Sequence, residues 1–264
     1  MTRTSTVEGS EISWLRRAWD HLPSIVRRPI VRAMSHERMR LGLLNLLGIR
    51  SKSGFQSASD GGPRAVAKAM DMLASDGPTG DYYEFGLYRG YTFWTAQKSA
   101  DQRSLEGMRF FGFDSFCGLP EVEGSDRQAA IFIPGDYSCS VDEVRGFLTD
   151  HEFDWSRAAL VEGFYDVSLT DEVKDLHKMG PAATVMIDCD LYQSTVPVLH
   201  FIEDLMQDGT ILLFDDWHCF GGDESRGELR AFAEFLNARP QWRADFVDDY
   251  PTYGRVYVMH RQLP

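Results

Sequence analysis

A doubly wound, mostly parallel α/β sheet is the fold this sequence predicts, on three observations. Short apolar runs alternate with helical periodicity from residue 63 onward. Glycine turns and acidic residues fall at the ends of those runs, where such sheets place their ligands. Residues 242–261 break the alternation and read as two strands joined by a turn, an antiparallel hairpin closing the sheet. The 264 residues are 43% hydrophobic and 12% aromatic, enough for a full core in a folded globular protein.

Taken in order, residues 10–22 carry Ile12, Leu15, Ala18, Trp19 and Leu22 at helical spacing, with Arg16, Arg17 and Asp20 opposite. Pro23 and Pro29 interrupt that pattern, and LGLLNLLGI (41–49) ends near the helix-stopping Gly48. The Ser- and Gly-rich stretch 51–63 reads as a hinge, so residues 1–60 form a basic helical segment and 61–264 the sheet domain. PRAVAKAMDMLA (63–74) reads as a helix, DYYEFGLYRG (81–90) as a strand running into a glycine turn, and YTFWTAQKSA (91–100) as the next helix. RFFGFDSF (109–116), ALVEGF (159–164), ATVMIDCD (183–190) and GTILLFDDW (209–217) read as further strands. STVPVLHFIEDLMQ (194–207) reads as a helix with Pro197 in its first turn, and ELRAFAEFLNA (228–238) as another.

Charge and cysteine usage remove several function classes. Forty acidic against 27 basic side chains give a net charge of −13. The excess lies beyond residue 52, because residues 1–52 hold ten basic and four acidic groups. An acidic body argues against nucleic acid as a partner, since phosphate-backbone binding needs clustered Lys and Arg. No apolar run reaches the roughly 18 residues that span a bilayer. The first thirty residues lack the unbroken apolar core of a signal peptide. Cys117, Cys139, Cys189 and Cys219 show no CxxC spacing and fit reduced thiols in a cytoplasmic protein.

The first sheet turn, EFGLYRG (84–90), spaces Gly86 and Gly90 as GxxxG and lacks the GxGxxG of a dinucleotide site. Glu84 would repel a pyrophosphate but hold a cationic amino group, while Asp114 ends the next strand where an acid binds ribose hydroxyls. A cationic nucleoside without phosphates is S-adenosylmethionine. Farther on, MIDCDLY (186–192) and LLFDDW (212–217) end two strands about one strand–helix–strand unit apart. The two-residue strand period puts Asp188 and Asp190 on one face, whereas adjacent Asp215 and Asp216 require a turn for at least one of them. Converging carboxylates without basic neighbours repel one another, and a divalent cation with oxygen ligands, Mg²⁺ or Mn²⁺, resolves that conflict. Trp217, Tyr192, Phe220 and Tyr91 flank this cleft as a candidate acceptor platform.

On these residues the chain resembles the macrocin O-methyltransferase family. The resemblance spans roughly residues 80–240 through EFGLYRG (84–90), DSFCGLP (114–120), YSCSVDEVRGFL (137–148), EGFYDVSL (162–169), IDCDLYQST (187–195) and FDDW (214–217). It implies a Rossmann-like class I methyltransferase sheet and methyl transfer from S-adenosylmethionine to a sugar hydroxyl with a metal ion. By motif, Asp188, Asp215 and Asp216 match the metal ligands and Asp190 the general base. Glu84, Gly86, Arg89, Gly90, Thr92, Asp114, Ser115, Gly163 and Asp188 match the cofactor site. The chain departs from the family at Tyr91, where a second glycine is frequent, and at Cys117, which replaces an acid. His218 follows the acidic pair outside the family pattern and competes with Asp190 as base, since histidine is the residue type best suited to proton transfer near neutral pH.

The expected acceptor is therefore a small molecule, a sugar or glycosylated natural product. A catechol-like phenol is the rival acceptor, because vicinal hydroxyls chelate the same ion. A non-catalytic S-adenosylmethionine-binding protein is the rival of another class, opposed by the four intact carboxylates. The basic segment reads as a cap, a lid or a homo-oligomer arm on the acidic body, or else as a peripheral membrane contact.

Overall fold

The computed structural model describes residues 60–127 and 131–262. The expectations for residues 1–59, an amino-terminal helical arm and most of the hinge, lie outside the described residues. Seven strands form one sheet: β1 (Asp81–Phe85), β2 (Phe110–Asp114), β3 (Ala158–Glu162), β4 (Ala182–Ile187), β5 (Met206–Phe214), β6 (Trp242–Tyr250) and β7 (Gly254–Arg261). Their order is β3-β2-β1-β4-β5-β7-β6, with β1 to β5 parallel and β7 antiparallel to both β5 and β6. This is the doubly wound sheet with a closing hairpin that the alternation predicts. The strand order reverses between the parallel neighbours β1 and β4, which makes that crevice the ligand-binding point of the fold.

Around the sheet lie α1 (Gly61–Asp76), α2 (Tyr91–Gln102), α3 (Gly124–Arg127), α4 (Val141–Asp150), α5 (Tyr165–Ser168), α6 (Asp171–His177), α7 (Tyr192–Ile202) and α8 (Gly227–Ala238). Every residue of β4, AATVMI, is buried because helices cover both of its faces. On one face Tyr82, Phe110 and Met186 pack with Val66, Met70, Phe93 and Leu148; on the other Phe85, Phe113 and Phe214 pack with Val198, Phe201 and Phe232. Among the described residues, no helix is long and apolar enough to cross a membrane.

Two helical boundaries differ from the sequence reading. Helix α7 begins at Tyr192, so Pro197 lies inside it and removes one hydrogen bond to the preceding turn. It stops at Ile202, because β5 already starts at Met206 and pairs there with Ala182. The register then sets the level of the site. Phe85 pairs with Phe113 and Ile187, and Ile187 pairs with Phe214. The next residues, Gly86, Asp114, Asp188 and Asp215, stand side by side at the carboxyl edge of the sheet, Asp114 still pairing with Glu162.

Candidate active site

The turn after β1 is built for close approach. Gly86 has φ +90°, and a Cβ there would lie 1.9 Å from the Asp188 carbonyl oxygen. Only glycine lets the two turns pass so closely. The Gly86 amide donates to the Phe113 carbonyl at 2.9 Å and the Asp188 amide to that of Phe85 at 2.9 Å, extending the sheet into the turns. Gly90, at φ +77°, starts α2 and faces Val144 and Leu148 of α4. Arg89 is buried beside the Tyr88 ring. Thr92 Oγ1 and Asp215 Oδ1 both face Gly62 at the start of α1. Gly163 turns the chain after β3 at φ +137°, its carbonyl accepting from Ser168 Oγ at 3.1 Å.

Asp114 holds this turn in shape. One carboxylate oxygen accepts from the Leu87 and Tyr88 amides at 2.7 and 3.0 Å, and the other from Phe116 at 2.7 Å. Ser115 is likewise engaged locally, donating to the Gly118 carbonyl at 2.8 Å and accepting from the Cys117 amide at 3.1 Å. Glu84 is buried under the turn, accepting from the Tyr82 hydroxyl and the Phe93 amide. Burial pushes its carboxyl up to about 8, against the pull of those donors and with help from the charges of Asp215 and Asp114.

Across the crevice the acids converge as the sequence implied. Carboxylate oxygens of Asp188, Asp215 and Asp216 lie within 4.8 Å of one another. β5 ends at Phe214, so both Asp215 and Asp216 stand on the turn. β4 ends at Ile187, however, and Asp188 and Asp190 do not share a strand face. The chain instead makes a tight turn, with Asp190 at φ +61° and the Leu191 amide donating to the Cys189 carbonyl at 2.6 Å. This turn brings Asp190 back to share a hydrogen bond with Asp216. Burial raises every member, and repulsion from neighbouring acids adds to it at Asp188 and Asp190, which lie well above the usual carboxylate range, and at Asp215, raised to about 7. Asp216, whose hydrogen bonds with Asp190 and Asp188 pull it back down, reaches about 6.

Four further groups at this site were not found from sequence. Glu228, fully buried on α8, accepts from the Cys189 amide at 3.4 Å and the Asp216 amide at 3.0 Å. Asp126 on α3 accepts from the Tyr192 and Gly227 amides at 2.7 and 3.1 Å. Tyr250 of β6 hydrogen-bonds Asp215. Tyr137 stands at φ +60°, its ring partly exposed and edge-on to Tyr88 at 5.9 Å, and the desolvation of its hydroxyl with the charges of Asp190 and Asp216 holds that hydroxyl above the usual range. An acid near a helix start reads as an ordinary dipole partner, and a tyrosine in a loop carries no signal of its own.

His218 points elsewhere. Its Nε2 lies 3.4 Å from Asp249 on β6, in an ion-pair group that includes Arg255. The proposed aromatic platform also dissolves in part. Trp217 is core, 5.2 Å from both Phe214 and Tyr257, and Tyr192 turns its hydroxyl to Glu234 at 2.6 Å under the Arg230 guanidinium. Phe220 packs edge-on to Phe132 and Tyr91 stacks on Trp94. All four cysteines are free.

An oxygen-only donor set suits a hard divalent cation. A test of that fit is internal to the cluster. Asp215 Oδ1 is buried and has no protein partner, an expensive state for a carboxylate oxygen unless something else satisfies it. Asp188, Asp215 and Asp216 therefore fit such an ion.

The profile of the macrocin-O-methyltransferase family matches residues 63–239, more than half of the chain. Among solved structures the chain is similar to the O-methyltransferase NovP, at 18% identity, covering 75% of this chain and 79% of that one, with TM-score 0.64. It is also similar to CalS11, a TDP-rhamnose 3′-O-methyltransferase of calicheamicin biosynthesis, at 19% identity, 98% and 97% coverage and TM-score 0.51. A third is TomG from Streptomyces achromogenes, an O-methyltransferase of tomaymycin synthesis solved with S-adenosylmethionine, at 12% identity, 87% coverage of each chain and TM-score 0.52. At these identities the likeness is one of fold. No curated protein matches the chain.

Proposed function

The chain belongs to the macrocin O-methyltransferase family, S-adenosylmethionine-dependent O-methyltransferases, and from that premise we propose that its acceptor is a hydroxyl of a sugar or glycosylated natural product. In this reading Asp188, Asp215 and Asp216 hold Mg²⁺, with Mn²⁺ as a substitute, and Asp190 is the general base. The observation that carries it is the convergence of three half-buried carboxylates, Asp188, Asp215 and Asp216, joined by buried Asp190 through its hydrogen bond with Asp216, together with an Asp215 oxygen that has no protein partner. The sugar acceptor is supported by the family and by the TDP-rhamnose substrate named for CalS11.

The acceptor oxygen attacks the sulfonium methyl in line, so that the O–C bond forms as the S–C bond breaks. The hydroxyl proton goes to the Asp190 carboxylate. A divalent cation, when bound, supplies positive charge to the cluster and fixes neighbouring acceptor hydroxyls. Asp190 is favoured over His218 because it stands among the carboxylates, whereas His218 pairs with Asp249. Glu84 and the turn 86–90 suit the amino-acid end of the cofactor, and Asp114 stabilises that turn.

The test is methyl transfer to a panel of nucleotide sugars, glycosylated products and catechols, with and without chelator. Transfer to a glycosyl hydroxyl, lost in EDTA and restored by Mg²⁺ or Mn²⁺, is expected, with Asp188→Asn slower by about 100-fold or more. Turnover that survives chelation removes the metal, and preference for catechols moves the acceptor class.

A further inference from the structure

The two helices that follow the acid-bearing turns begin without caps of their own. Neither Leu191, before α7, nor Arg226, before α8, offers a side-chain hydrogen bond to its helix. One carboxylate serves both. Asp126 Oδ2 accepts from the first amide of α7, at Tyr192, and Oδ1 from the first amide of α8, at Gly227, 66 and 101 residues along the chain. It is 3% exposed, and its segment is pinned nearby by Gln193, which accepts from the Glu123 amide and donates to the Glu121 carbonyl, both at 2.8 Å. Glu228, the second residue of α8, reaches back to the amides of Cys189 and Asp216.

Asp190 lies between these anchors. Its left-handed backbone is one that L residues with side chains adopt at a cost, although Asp tolerates it better than most. Such a conformation persists where the surroundings over-determine it. Here the amide just before Asp190 is held by Glu228 and the amide two residues after it by Asp126. Both carboxylates also tie the turn to the start of α8, next to the turn that carries Asp216.

We propose that Asp126 and Glu228 are positioning residues, a two-carboxylate clamp that fixes Asp190 in its tight turn against Asp216 by binding main-chain amides on either side of it. Neither touches the acceptor or the transferred methyl. The role of Asp190 as base rests on the function proposed above; the clamp on its backbone does not. In Asp126→Ala both caps are lost. In Asp126→Asn one oxygen still accepts, and the amide nitrogen confronts the other N–H, so the damage is partial.

The experiment is hydrogen–deuterium exchange on the full-length protein, with S-adenosylhomocysteine binding and methyl-transfer kinetics measured on the same variants. The clamp requires exchange at least tenfold faster in peptides covering 188–193 and 226–230 of Asp126→Ala, with α1 and β5 unchanged. It further requires S-adenosylhomocysteine affinity and the KM for S-adenosylmethionine within threefold of wild type, a kcat lower by tenfold or more, and intermediate values for Asp126→Asn. Unchanged exchange across 188–193, or a kcat within threefold, overturns it. So does a parallel loss of cofactor affinity and of protection throughout the sheet, which marks general destabilisation. If Asp126→Ala does not fold, Asp126→Asn and Glu228→Gln carry the same comparison. If the wild type transfers no methyl to any acceptor, the function fails, and the exchange measurement alone decides the clamp.

Discussion

Glu84 is a core residue that is also proposed for the cofactor site. It lies in the first strand, is almost wholly buried, and has two protein donors, so removing it disturbs packing whatever it does for the cofactor. Its carboxyl, pushed up to about 8 by burial, is largely protonated at neutral pH. A cationic amino group placed against it would favour the carboxylate, so cofactor binding would expel a proton there and strengthen as pH rises from about 6 towards 7.5, below the range where the amino group itself loses its charge. Titration calorimetry with S-adenosylhomocysteine in buffers of different ionisation enthalpy measures that release directly. For Glu84→Gln, affinity lower by about tenfold is expected, together with loss of the pH dependence. Wild-type affinity in the variant would detach Glu84 from the cofactor. Gly86 allows no comparable substitution, since any side chain there collides with the Asp188 carbonyl.

At the scale of elements, what could be read from the sequence depended on the range of the interactions that shape each piece. Strand β4, most of β2 and the TILLF end of β5 are apolar runs buried on both faces, so their positions follow from hydrophobicity alone, whereas β1 is buried throughout although it carries Asp81 and Glu84. Helix α4 carried a local signal that the strand–helix reading passed over. Ser140 and Glu143 form a reciprocal capping box, and Val144 and Leu148 lie on one buried face. The helices α5 and α6, four and seven residues long, are too short for periodicity to reveal. The tight turn at Asp190 is the opposite case. Locally, VMIDCD alternates like a strand to its end, and what diverts it after Ile187 is held by Glu228 and Asp126, far away in sequence. The acids were legible as a cluster, but not the geometry that gathers them. The capping box yields a clean prediction, because α4 meets the cofactor turn through Val144 and Leu148 at Gly90 while its capping residues Ser140 and Glu143 are exposed. Ser140→Ala should cost about 1 kcal/mol and lower the Tm by about 2–4 °C in scanning calorimetry. S-adenosylhomocysteine affinity should stay within twofold; a larger loss would make α4 a direct part of the cofactor site.

For the whole molecule, the acidic cluster is a charge problem that folding creates and a cation relieves. Asp215 at about 7, Asp216 at about 6, and Asp188, Asp190 and Glu228 well above the usual range all hold protons more tightly folded than unfolded. An unfolded carboxylate titrates near 4, so above that pH the native chain binds more protons than the unfolded one. Stability contributed by these groups is therefore greatest at the acid side of the window and falls as pH rises through 6, 7 and 8. The exposed acids whose values are lowered, such as Asp223 and Asp248, act below this window and do not offset the trend within it. A divalent ion competes with those protons, so its stabilisation should grow with pH while the chelated protein weakens. Thermal melting of the full-length protein at pH 6.0, 7.0 and 8.5 in EDTA should show a falling Tm, and millimolar Mg²⁺ should raise the Tm most at pH 8.5. A chelated protein that grows more stable from pH 6.0 to 8.5 would mean that the cluster is ionised without a cation. A fall in Tm that Mg²⁺ leaves untouched would keep the buried protons and remove the ion.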